Sequence, residues 1–146
     1  MQTKSDIAVL KFEEGYNCAQ AVLYSFCDVL CLEKDAALMM ATGFGAGMGR
    51  KQEVCGALSG GIIAIGKRYG RSEGQDKTKT EETYGKVREF ISRFESKNGS
   101  RLCRELLNGC DLDTAEGRRL YRDNGLFDKT CKNCVRTAAE ILEAIL

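Results

Sequence analysis

The chain has 146 residues, with 22 Lys and Arg against 21 Asp and Glu, eight Cys and neither His nor Pro. A net charge of +1 offers no electrostatic grip on nucleic acid or an anionic lipid surface, and no run of about 18 apolar residues is present to span a membrane. The lack of His removes Ser-His-Asp and Cys-His catalysis, His-ligated zinc and ordinary His-ligated haem.

Apolar residues recur at intervals of three and four, the helical period. Ile7, Val9, Leu10 and Phe12 predict a first short helix ending before Gly15. Asn17 is placed to cap a second, carrying Cys18, Ala21, Val22, Tyr24, Ser25, Val29 and Leu32. Asp35 opens a third, which stops at Gly43. Gly43, Gly45, Gly47 and Gly49 then predict an irregular turn; an anion cradle is the rival reading, but no Walker lysine–serine pair follows. A fourth helix is expected from about Gln52 to Tyr69, with Val54, Leu58, Ile62, Ile63 and Ile65 as its apolar face. Its small residues Gly56, Ser59 and Gly60 would allow a neighbour to approach the backbone closely.

The polar stretch Arg71 to Thr80 reads as a loop. A long amphipathic helix follows, with Tyr84, Val87, Phe90, Ile91 and Phe94 inward and Asn98-Gly99 as its end. Ser100 is placed to cap a short helix bearing Cys103, Leu106 and Leu107. Asn108 to Asp128 is polar and glycine-dotted, and Cys131 to Leu146 reads as a last helix with Val135, Ala138, Ala139, Leu142 and Ile145 buried. No strand pattern is evident. The expected fold is all-α, a single-domain bundle of about six helices over residues 1–146.

A chain of this size builds a core without cross-links, so eight cysteines are more than stability requires. The N-terminus, Met1 to Ile7, has no signal-peptide pattern, which predicts a reducing cytoplasm. In such a compartment cysteines serve metals or redox chemistry. Cys55 stands out, because it follows the glycine turn and falls in the expected first turns of a helix, where the macrodipole favours a thiolate. Cys18, Cys103 and Cys131 also fall near helix starts, the last with Asp128 or Thr130 as cap. Converging at one end of a bundle, these four would form a tetra-thiolate site suited to an iron–sulfur cluster or, less well, to zinc. Scattered core cysteines remain the alternative. Cys27 and Cys31 share a helix face and read as core, and Cys131-Lys132-Asn133-Cys134 is a CxxC lacking the strand that precedes a thioredoxin-type pair. Cys110 lies in a polar loop as a spare or resolving thiol. Met39, Met40 and Met48 read as core filler.

Four segments together carry a resemblance. They are Gly15 to Val22 with Cys18, the glycine turn into Cys55-Gly56-Ala57-Leu58-Ser59-Gly60, Cys103 to Leu107, and Cys131 ahead of Val135 and Ala138 to Leu142. They resemble the C_GCAxxG_C_C family of redox-active proteins over nearly the whole chain. The resemblance implies redox activity or a bound metal centre, with Cys18, Cys55, Cys103 and Cys131 at the family's cysteine positions and Cys134 as the alternative to Cys131.

Two functional expectations follow, and whether the chain is an enzyme stays open. In the first, those four cysteines hold an iron–sulfur cluster or another thiolate-bound metal for electron transfer or redox sensing; haem is not expected. In the second, the protein is metal-free and Cys55 is the redox thiolate, resolved by another cysteine. A helical interaction module with core cysteines is the non-redox rival. The expected partner is a redox protein, with self-association left open.

Overall fold

A computed structural model describes residues 1–146. It holds nine helices and no sheet. They are α1 (Lys4–Glu13), α2 (Cys18–Ser25), α3 (Cys27–Leu30), α4 (Lys34–Ala41), α5 (Gly56–Tyr69), α6 (Thr78–Asn98), α7 (Cys103–Leu106), α8 (Ala115–Asp123) and α9 (Lys132–Ile145). The all-α expectation is met, with more and shorter helices than the six expected. None is long and apolar enough to cross a membrane.

The local rules act where the sequence places them. Thr3 closes a capping box with Asp6, and Asn17 closes one with Gln20. Gly99, at φ +92°, ends α6 and donates its N–H to the Glu95 carbonyl at 2.8 Å. Other boundaries differ from expectation. The second helix breaks at Phe26, and Cys31 takes a left-handed conformation after α3, which leaves Val29 and Cys31 exposed. Glu33, not Asp35, caps α4, accepting from the N–H groups of Asp35 and Ala36. Helix α5 begins only at Gly56, with Cys55 as its N-cap residue. Leu102 occupies the N-cap of α7, while the Ser100 hydroxyl accepts from the Leu102 N–H and donates to Glu105. The lead-in to α9 is a π-helical turn, Phe127–Cys131, with no side-chain cap from Asp128 or Thr130.

Helix α2 packs between α1 and α5, while α9 lies against α1 and α6. The small residues of α5 explain its closeness to α2. A Cβ at Gly60 would strike the Ala19 carbonyl, and one at Gly61 would strike the Phe90 ring. The resulting core joins Phe12, Leu23, Phe26, Leu58, Phe90 and Leu142 to the whole predicted apolar face of α9. Tyr84, Met39 and Met40 are exposed instead, Met39 at 77%. Cys27 is buried as expected of a core thiol, with its sulfur 3.6 Å from the Leu23 carbonyl oxygen.

A second, small cluster of Cys103, Leu107 and Leu126 forms a cap beside this core. The cap includes α7, α8 and the intervening turns. Helix α8 falls in the stretch expected to be loop. Thr114 caps it by accepting from the Gly117 N–H at 2.9 Å, and Gly117, its one buried residue, packs on the Asp111 backbone.

Candidate functional site

Between core and cap lies a cavity of about 150 Å³. Cys18, Cys55, Cys103, Cys131 and Cys134 all line it. The other three cysteines, Cys27, Cys31 and Cys110, do not. Phe12, Leu106, Leu107 and Leu112 supply apolar walls, and no Asp or Glu reaches the lining.

Each sulfur arrives by a separate device. The Asn17 capping box fixes Cys18 at the first position of α2, and the Asn17 side-chain amide also donates to the Thr42 carbonyl at 2.9 Å. That bond ties the start of α2 to the glycine turn. In the turn, Ala46, Gly47, Met48, Gly49 and Arg50 run consecutively with φ between 53° and 72°. The chain there winds left-handed, a conformation that costs a residue with a Cβ about 1–2 kcal/mol. Glycine is required at Gly47, where a Cβ would stand 2.5 Å from the Gln52 Cα. Ala46 brings the turn to the cavity wall.

The chain then enters an isolated antiparallel bridge, Val54 with Leu102. The Cys55 N–H donates to the Arg101 carbonyl at 2.8 Å, and the Cys103 N–H to the Glu53 carbonyl at 2.7 Å. Side chains alternate across extended backbone, so Cys55 and Cys103, each one residue past the bridged pair, leave on the same face. This is how residues 48 positions apart in the chain come to share a cavity. Gly56 completes the approach, since a Cβ there would meet the Cys18 sulfur. The π-helical turn delivers Cys131, and the first turn of α9 delivers Cys134. Phe12 stacks on Phe127 with ring centroids 4.4 Å apart, which holds that turn against α1.

Thiol–thiol contact and burial, not the helix termini, set the ionisation of Cys18, Cys55, Cys103 and Cys131. Contact with the Cys55 thiol, then burial, pushes Cys18 well above the usual thiol range. Contact with Cys134 pushes Cys55 up as well, against a lowering contact from Cys18. Burial raises Cys103 to about 12 and Cys131 to about 11. Tyr121, also in the cavity wall, is buried beside Cys131 and has its hydroxyl pushed upward. The expectation that helix starts make thiolates therefore fails for the reduced, metal-free chain. Cys131 sits within continuous helical backbone, where the N–H groups are already bonded, and Cys103 begins a helix of only four residues.

The donor set is soft: thiols, with no carboxylate in the wall and no imidazole in the chain. No three such groups converge closely enough to share one ion. The sulfurs are arranged around a space instead of about a point. Sequence reasoning placed the four cysteines and noted Cys134, but it missed Tyr121 and the organising role of Gln52. The Gln52 side-chain amide donates to the Cys110 carbonyl at 2.7 Å and accepts from the Leu112 N–H at 2.8 Å, stitching the cap to the segment before Cys55. Its cue was slight, a polar residue next to the glycine turn.

No curated protein and no solved structure matches the chain. A family model described as "Putative redox-active protein (C_GCAxxG_C_C)" matches residues 16–145, a span that holds all five cavity cysteines. The chain belongs to this C_GCAxxG_C_C family.

Proposed function

We propose that this protein carries or senses electrons through an iron–sulfur cluster bound by Cys18, Cys55, Cys103 and Cys131. The supporting observation is that five of the eight thiols, drawn from distant parts of the chain, line one largely apolar cavity. Thiolates are the preferred cluster ligands, and a multi-iron centre attaches its ligands to different irons, so they stand apart around it. A single zinc ion suits the arrangement less, since no three ligands converge. When bound, the cluster would supply reversible one-electron chemistry.

The chain's own residues then have definite tasks. The four cysteines give up their protons on binding, so assembly releases acid. Phe12, Leu106, Leu107 and Leu112 keep water from the sulfurs, a condition that tunes cluster potential. Electrons would pass to a partner redox protein, and a reducing compartment such as the cytoplasm would keep the thiols available. The test is anaerobic purification followed by visible spectroscopy and iron and sulfide analysis. Iron-containing, coloured protein is expected, with the colour lost in Cys18→Ser, Cys55→Ser, Cys103→Ser and Cys131→Ser and kept in Cys27→Ser. A colourless, iron-free parent protein would overturn the reading.

A second reading is supported by the contacts of Cys55 with Cys18 and Cys134. In it the protein is a metal-free dithiol, and Cys55 forms a reversible disulfide with one of these neighbours. Differential alkylation before and after reduction would reveal that pair, and its absence would remove this version.

A further inference from the structure

Cys134 belongs to two cavities. It is a buried residue, 3% exposed, that lines the thiol cavity and also a separate polar groove of about 450 Å³ bounded by the end of α6, α7 and the start of α9. Leu106 and Thr130 are shared in the same way, so these three residues form the partition between groove and thiols. The groove otherwise presents Lys97, Lys129, Asn98, Asn108 and Asn133, with Glu105 as its one carboxylate. Glu105 is engaged by the Ser100 hydroxyl at 2.6 Å. Neither Lys97 nor Lys129 takes part in a salt bridge. Both side chains are exposed at the rim, free to meet a ligand's negative charge.

We propose that this groove binds small anionic disulfides and that Cys134 is the thiol they modify. The size falls in the range of small-molecule sites, and the two lysines with the side-chain amides suit carboxylate-bearing ligands. The reaction is thiol–disulfide exchange. The Cys134 sulfur, as thiolate, attacks one sulfur of the ligand and forms a new S–S bond. The ligand's own S–S bond breaks, and its second half leaves as a thiolate that takes up the proton Cys134 lost. The products are one mixed disulfide on Cys134 and one free thiol, so no further oxidant is required. Cys134 is not one of the four proposed cluster ligands, though its side chain touches Cys55, and the inference goes beyond the cluster reading without depending on it.

The test compares disulfides of opposite charge on the folded, full-length protein. Dithiobis-nitrobenzoate is a dianion and cystamine a dication. Mass spectrometry would give the labelling of Cys134 relative to Cys31, an exposed cysteine that does not line the groove. The Cys134:Cys31 ratio is expected to be about tenfold higher with the dianion, a modest steering effect. In Lys97→Glu/Lys129→Glu that preference should vanish or invert. Circular dichroism should be unchanged, because both substitutions are at exposed positions. A charge-independent ratio, a preference unaltered in the double variant, or Cys134 labelling only after unfolding would each overturn the proposal. Iron and sulfide content of the same double variant should match the parent, so loss of charge selectivity is distinguishable from failure of the cluster reading.

Discussion

The core and the cap of this molecule are held by different forces. The core buries Phe26, Phe90, Phe94, Leu23, Leu58 and Leu142 almost completely. Its stability is that of close-packed apolar surface, at about 25 cal/mol per Å² removed from water. The cap buries three apolar residues, Cys103, Leu107 and Leu126. Backbone and amide hydrogen bonds attach it to the core: Cys103 N–H to Glu53, Arg104 N–H to Gln52, and the two Gln52 side-chain bonds. Each such bond contributes about 1 kcal/mol net. The thiol cavity lies where the two regimes meet. Cys18, Cys55 and Cys134 stand on the core side, Cys103 on the side with less buried area, and Cys131 packs against both. If the site takes in a cluster as proposed, it is well served by one fixed wall and one that opens at low cost.

Substitutions can pull the two regions apart. The largest effect is expected in the core. Phe90→Ala should cost about 3–5 kcal/mol in chemical denaturation, since the ring is fully buried and packs over Gly61. All nine helices should unfold together in that variant. A cap that stayed folded after the core was lost would contradict the comparison.

Gln52→Ala should cost less, about 1–3 kcal/mol, because it strands the Cys110 carbonyl and the Leu112 N–H. The more telling readout is hydrogen exchange. Residues 103–123 should exchange faster while the amides of α5 and α9 keep their protection. Equal acceleration in core and cap would show that the cap is not separately hinged.

The smallest effect concerns the rim of the core. Hydrogen bonds from the Thr3 backbone N–H and hydroxyl, then the Arg136 guanidinium, hold the Asp6 carboxyl below its ordinary 3.8. The folded value is therefore the depressed one. The contribution of Asp6 is complete above the unfolded value and is lost as pH falls through the folded one. Asp6→Asn should flatten the acid limb of the stability profile slightly and leave the neutral region little changed. An unaltered acid limb would show that the capping box contributes nothing measurable.

What could be read from the sequence follows the same division. Periodicity found α9 residue by residue, and Asn17 marked α2, because core helices display an apolar stripe and a cap. Helix α8 escaped because its stripe is short, only Leu120 and Tyr121 beside Gly117. It runs Ala115 to Asp123 through five charged residues and rests on a glycine, so only Thr114 announced it. The four candidate cysteines were visible through chemistry and resemblance, whereas their gathering at one cavity was not, for it depends on the Val54–Leu102 bridge and the left-handed turn. Placing cysteines at helix starts was largely sound. Expecting thiolates there was not, because desolvation of a buried sulfur outweighs a terminal dipole.

The single bridge between Val54 and Leu102 has a mechanical consequence. It is the pin on which the outer wall is hung. While its bonds from Cys55 to Arg101 and from Cys103 to Glu53 stay intact, Cys103 travels with Cys55 however far the remainder swings. Two sulfurs would keep their spacing if the cap swung open, and a cluster bound as proposed would meet half of its ligands already in place.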